Sequence, residues 1–144
     1  MSTTVQPQRP YYVGPDFGHA RVHDVMRVGI VSCRPETSLR DVARIMVSYQ
    51  VHSVVVGDAG AGEPFGILTD LDLASAATGE IDELTARDVA TTEPVTVPAD
   101  ASLAAAARLM SERECSHLLA VQPDTGHPVG VISAVVLASV IAAG

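Results

Sequence analysis

The chain repeats itself, and the repeat limits what it can fold into. GILTDLDLAS at Gly66–Ser75 lies over GVISAVVLAS at Gly130–Ser139, an offset of 64 residues. The same offset carries Asp24-Val25 onto Asp88-Val89, Val31 onto Val95, Ser38-Leu39 onto Ser102-Leu103, Ala43-Arg44 onto Ala107-Arg108, Met46 onto Met110 and Pro64 onto Pro128. One register held without insertion from residue 24 to residue 139 means two copies of one supersecondary unit. A unit of about 60 residues is marginal alone. Two copies packed about a pseudo-twofold axis and sharing one core are therefore expected.

Each copy reads the same way. A short acidic-capped turn (His23–Met26; Arg87–Ala90) leads to a brief strand, Ile30–Cys33 or Pro94–Val97. An amphipathic helix follows, with Leu39, Val42, Ala43 and Met46 at the i, i+3, i+4, i+7 spacing of one buried face, repeated by Leu103, Ala106, Ala107 and Met110. Ser38, and Ser102 or Asp100, are the expected caps. Two strands follow, Ser53–Gly57 and Phe65–Thr69, joined by the turn DAGAGEP; their counterparts are His117–Val121 and Val129–Ser133, joined by QPDTGHP. A last helix begins at Thr69 or Ser133. The order is β-α-β-β-α twice over, a mixed α/β (α+β) fold. It divides the chain into a tail at 1–21, a first motif at 22–79, a linker at 80–85 and a second motif at 86–144.

The uncharged C-terminal stretch VGVISAVVLASVIAAG resembles an anchor. Its 16 residues from Val129 fall short of the ~20 that span a bilayer, and they are the second copy of a segment carrying Asp70 and Asp72. No membrane association is expected. Nine basic against 17 acidic residues give a net charge of −8, which disfavours phosphate backbones and hence nucleic acid. Cys33 and Cys115 are too few for a disulfide framework and lack metal-site spacing. The N-terminus lacks a basic start and an apolar run, so a cytoplasmic, reducing setting is expected. Tyr11, Tyr12 and Phe17 are the tail's expected docking points.

The hydroxyl-bearing strands (Val31-Ser32-Cys33; Val95-Thr96-Val97), the Leu-led helix, the buried strand and the G-h-h-[ST]-x-x-D string resemble a cystathionine-β-synthase (CBS) domain. Residues 22–143 together resemble a tandem CBS pair, or Bateman module. The resemblance implies a regulatory sensor that binds an adenosine-containing ligand (AMP, ADP, ATP, adenosine, S-adenosylmethionine, sometimes NAD) between the motifs and pairs into a homodimer. It implies that Asp72 accepts hydrogen bonds from the ribose hydroxyls and that Thr69 faces the ligand. Ser32 and Cys33, with apolar residues of the Ser53–Val56 strand such as Val55, would flank the base. His52 would meet phosphate, and Ser116 and His117 would be its second-motif counterparts.

Simpler readings stand beside these. Thr69-x-x-Asp72 is also a capping-box helix start, and both histidines can be ordinary packing at strand starts. The second motif departs from the family pattern, with Val136 at the place of Asp72 and Ala134 at that of Asp70. Its cleft is expected to be empty or to hold something other than a ribonucleoside. No arginine or lysine stands at the phosphate positions, which favours a weak nucleotide site, or one for neutral adenosine or cationic S-adenosylmethionine.

Among His19, His23, His52, His117 and His127 only the first two stand four apart, no H-x-H string occurs, and GDAGAG at 57–62 lacks a Gly-Lys-Ser/Thr ending, so no enzyme is expected. The alternative is a ligand-free interaction scaffold; either role allows a regulated protein partner. The homodimer is also expected from apolar helix surface at Leu137, Val140, Ile141, Leu73, Ala74, Ala77, Met46 and Val47.

Overall fold

A computed structural model describes residues 12–57 and 65–143; Tyr11 and the first hairpin turn lie outside them. In chain order the elements are α1 (Val22–Val25), β1 (Arg27–Val28), β2 (Ser32–Cys33), α2 (Leu39–Tyr49), β3 (Ser53–Val56), β4 (Gly66–Thr69) and α3 (Asp70–Ala76). A 3₁₀ turn at Ile81–Glu83 leads to α4 (Ala86–Val89), β5 (Thr96–Pro98), α5 (Leu103–Arg113), β6 (His117–Val121), β7 (Pro128–Ser133) and α6 (Ala134–Ala143).

The long helices form where the periodicity and caps require. In α2, Leu39, Val42 and Met46 are buried on one face, and the Asp41 amide donates to the Ser38 hydroxyl at 3.2 Å. In α5, Leu103, Ala106 and Met110 repeat that face, and the Ala105 amide donates to Ser102 at 3.1 Å. Both helices stop on a left-handed residue, Gln50 (φ 53°) and Glu114 (φ 52°), which turns the chain into the next strand.

Two sheets result. β2, β3 and β4 form one, with β2 parallel and β4 antiparallel to β3. β5, β6 and β7 repeat it, and β1 adds a fourth strand beside β7 through Arg27↔Val131 and Val28↔Gly130. This strand is absent from the sequence reading, and it comes from the first motif. The reciprocal contact joins Thr91 of the second motif to Ile67 of the first. A second reciprocal pair joins Arg21 to Ser102 and Thr85 to Ser38. Each motif thus lends its leading segment to the other.

The exchange explains the glycine that opens each repeated string. A Cβ on Gly66 would run into the backbone carbonyl of Thr91, and one on Gly130 into that of Arg27. Only glycine admits the crossing strand.

The shared interior expected from sequence is organised as two interlocked clusters. One gathers Val97, Leu103, Ala106, Met110, Leu118, Ala120, Ile132, Leu137 and Val140 of the second motif, with Ala20 and Val22 from the first motif's leading segment. The other gathers Cys33, Leu39, Val42, Met46, Val54, Val56 and Leu68, completed by Ala86 of the second. The physical reason is the exchange itself, which closes each half with the other's arm. Tyr12 and Phe17 of the tail pack against the second-motif core. The burial also corrects the apolar surface read from sequence. Leu137 and Val140 are core residues, whereas Val47 and Ile141 are exposed; Met46 is buried, as its place in the helix periodicity predicts. α6 has 10 residues, and no helix among the described residues is long and apolar enough to cross a membrane.

Candidate functional site

The exchange creates two equivalent clefts between the motifs, with a further depression of His52, Asp70, Ser116, His117 and Ser133 beside them. The first, about 210 Å³, is walled by Ile67, Thr69, Leu71 and Asp72 on the first motif's side and by Thr91, Glu93–Val95 and Glu114–His117 on the second's. The second, about 180 Å³, is lined by Val131, Ser133, Val135 and Val136 on one side and by Arg27, Gly29, Val31 and Gln50–Ser53 on the other. Adding 64 to Arg27, Gly29, Val31, Gln50, Val51 and His52 gives Thr91, Glu93, Val95, Glu114, Cys115 and Ser116, so the two linings are copies of each other.

In the first cleft Thr69 and Asp72 are locked together. The Asp72 amide donates to the Thr69 hydroxyl at 3.2 Å, and the Thr69 amide donates to Asp72 Oδ2 at 2.9 Å. The capping box is therefore present, and it fixes the orientation of a half-buried carboxylate in the cleft wall. Oδ1 of Asp72 takes no hydrogen bond among the described residues, so one oxygen holds the helix start while the other is available as an acceptor. The helix start is also pinned from outside by the Asp70 amide donating to the His52 carbonyl at 2.9 Å; Ala134 donates to the Ser116 carbonyl at 2.8 Å in the second copy.

His117 stands between the clefts and lines both. Its Nδ1 lies 3.0 Å from the Ser116 hydroxyl, and its Nε2 is buried without a partner. Burial pushes its pKa below the ordinary histidine value, against the attraction of Asp70, with a further push from His52 and a counter-pull from Asp72. The ring is thus held towards its neutral form, with a nitrogen that the fold leaves unsatisfied. His52 is exposed and pairs with Asp70 at 3.2 Å. Burial raises the pKa of both thiols, Cys33 and Cys115, which disfavours thiolate chemistry. Among the described residues no three His, Cys, Asp or Glu side chains converge as a metal-binding set.

Of the residues singled out from sequence, Thr69, Asp72, Ser116 and His117 meet in the first cleft. His52 meets two of them, Ser116 and His117, in a neighbouring depression between the motifs that Asp70 and Ser133 also line; the rest stay apart. His52 lines the second cleft, Ser32 and Cys33 border a separate depression with Arg34, Pro35 and Gly57, and Val55 is 1% exposed inside the first sheet. The reason is again the crossing: the wall opposite Asp72 is built 64 residues further on, by Pro94, Val95 and Cys115. Glu93, Glu114 and Thr91, absent from the sequence reading, complete it. The repeat offset could have found them had the exchange been known.

The comparisons agree with this architecture. A CBS domain is recognised at residues 22–79 and again at 86–142. The chain superimposes on the CBS domain pair of protein MJ0100, solved with 5′-methylthioadenosine and S-adenosyl-L-methionine, at a TM-score of 0.76 with 20% identity over 85% of this chain and 96% of that one. It also superimposes on CBSX2, solved with AMP, at a TM-score of 0.64 with 26% identity over 82% and 93%. A homoserine O-acetyltransferase of Methanocorpusculum labreanum (strain ATCC 43576 / DSM 4855 / Z) is 29% identical over 126 residues, 88% of this chain but 25% of that protein. The chain thus spans a quarter of the length of that relative. With two family segments in tandem over most of its length, the chain belongs to the CBS domain family as a CBS pair.

Proposed function

We propose that this chain is a non-catalytic regulatory module that binds an adenosine-containing ligand in the cleft of Thr69 and Asp72. One observation carries the reading: the Asp72 carboxylate is fixed in the cleft wall by one oxygen and keeps the other for a ligand. A vicinal diol such as ribose offers the donors that this acceptor lacks. Val95, Cys115 and Ile67 supply an apolar surface for a base, and Leu71, 75% exposed at the rim, becomes covered once the base is in place. Ser116, exposed in the same wall, provides a further polar contact. Two folds of the same kind hold adenosine compounds, one of them S-adenosylmethionine and 5′-methylthioadenosine, the other AMP. The second cleft, with Val136 in place of Asp72, has no carboxylate for a ribose and is not assigned a nucleoside.

Two cysteines held as thiols fit a reducing, cytoplasmic setting. The exposed Val47 (78%), Val135 (65%) and Ile141 (62%) favour pairing with a second copy. Light scattering should return about twice the 15.0 kDa of the chain; a monomer at tens of micromolar removes the dimer.

The ligand reading is tested by thermal shift and calorimetry against AMP, ADP, ATP, adenosine, S-adenosylmethionine and NAD. A ligand at a hundredfold excess over Kd stabilises the fold by about 2.7 kcal/mol, several degrees in melting temperature. A flat response at millimolar concentrations overturns it in favour of a ligand-free scaffold.

A further inference from the structure

His117 is where the openings between the motifs meet: it lines the Asp72 cleft, the Val136 cleft and the depression beside them. Its counterpart in the first motif is Ser53, so only one of the two copies carries a titrating group at this place. Nδ1 lies 3.0 Å from the Ser116 hydroxyl, while Nε2 is buried with no partner among the described residues. A neutral imidazole with its proton on Nδ1 can sit this way. A protonated one carries a second N–H, which must find an acceptor or stay unpaired in a dry place.

The charges that act on the ring are Asp70 and Asp72 of α3 and the opposing His52. Glu93, Glu114 and Cys115 share the first cleft with it, and Arg27 the second; both glutamates are exposed. Asp70 is fully engaged. Its Oδ2 lies 3.2 Å from His52 Nδ1, and its Oδ1 accepts from the Leu71 amide at 2.9 Å. Asp72 commits Oδ2 to the Thr69 amide at 2.9 Å and keeps Oδ1 open among the described residues. The carboxylate oxygen left for an imidazolium is therefore the one left for a ribose.

We propose that protonated His117 and the ribose of an adenosine ligand compete for Oδ1 of Asp72, so that acid empties the cleft. The inference rests on the adenosine reading above and adds the regulation of that same site. The sign follows from the competition. A bound ribose takes the acceptor that would hold the cation, which favours the neutral ring, so binding expels a proton wherever the ring carries one. Above the histidine range the cleft is uniformly available. Below it only the unprotonated fraction binds, and each pH unit removes up to about tenfold in affinity.

Calorimetric titration of the whole chain with adenosine, from about pH 8 down to about pH 5.5, provides the test, since adenosine has no group that titrates across the histidine range. The apparent Kd should be level at the upper end and rise towards about tenfold per pH unit at the lower. Buffers of different ionisation enthalpy should show a proton released on binding. Any other compound of the panel is read as the difference between the parent and His117→Gln, because the phosphate of AMP itself titrates at about pH 6. His117→Gln should remove the slope, whatever its affinity at high pH. His52→Gln should keep it, since the partner of His52 is Asp70. Nuclear magnetic resonance of the histidine rings gives the same answer without a substitution: bound ligand should lower the pH at which His117 titrates. A level Kd in the parent, a slope that survives in His117→Gln, or an unmoved His117 titration overturns the inference and leaves the adenosine reading standing. Failure of every compound of the panel to bind overturns that reading, and the inference with it.

Discussion

Gly66→Ala is the substitution that most directly probes how the motifs are joined. The added methyl would overlap the Thr91 carbonyl oxygen, and Thr92 backbone lies within 3.3 Å of the same point. Both partners are main chain, so the crossing strand itself must move. Two backbone hydrogen bonds hold it there, Ile67 N–H to Thr91 O at 2.9 Å and Thr91 N–H to Ile67 O at 2.8 Å. Losing them costs about 1 kcal/mol each, and the residual overlap costs about 1–3 kcal/mol. Because Thr91 and Thr92 are exposed and can retreat in part, the net loss should be about 2–4 kcal/mol. At about 3–4 °C per kcal/mol for a chain of this size, the melting temperature should fall by about 6–15 °C. Urea denaturation followed by circular dichroism gives the free energy directly, with Gly79→Ala as the control. At Gly79 the nearest atom to an added Cβ is the Ala76 carbonyl oxygen at 3.9 Å, so stability there should stay level or rise by a few tenths of a kcal/mol. If Gly66→Ala unfolds at the same urea concentration as the parent, the crossing does not carry the stability assigned to it.

Asp72→Asn should weaken an adenosine ligand about ten- to a hundredfold, since a charge-assisted bond worth about 1.5–3 kcal/mol is lost, while calorimetry without ligand shows little change because Asn still caps. Val136→Asp should install the missing acceptor three residues after Ser133 and raise the binding stoichiometry towards two sites. Leu68→Ala, at a site 0% exposed, should cost about 2–5 kcal/mol in chemical denaturation. Stability should fall as pH drops below about 6.5, because the unfolded chain takes up a proton that the depressed pKa of His117 refuses until lower pH. His117→Gln should flatten that limb; Asp16 and Asp82, held low by His19 and Arg40, act only below about pH 4.

The repeat, the element order and the inward faces of α2 and α5 were all legible in the sequence, because an offset held over a whole chain and a 3.6-residue periodicity are one-dimensional signals. The exchange was not. β1 has two residues and Thr91 a single bridge, too short for any alternation to register. The site was half legible for the same reason: Thr69 and Asp72 belong to one contiguous string, but the opposite wall is chosen by the crossing. Ser32, Cys33 and Val55 were placed near the ligand by the family resemblance, and no one-dimensional signal says which of the two motifs faces a given cleft. The apolar surface was misjudged at α6, where AVVLASVIAA is hydrophobic all round and no stripe distinguishes Val140 in the core from Ile141 outside.

The reciprocal arms have a consequence for how such a chain can arise and be cut. Ala20 and Val22 close one core and Ala86 the other, so an isolated half would present an open seam and an arm with nowhere to lie. Two separate half-length chains would satisfy both by trading arms, giving a domain-swapped dimer with the contacts seen here inside one molecule. The connection through the Ile81–Glu83 turn therefore sets the local concentration of the halves more than it holds them together. Severed there, the two fragments should still find each other, because each carries the arm that the other lacks.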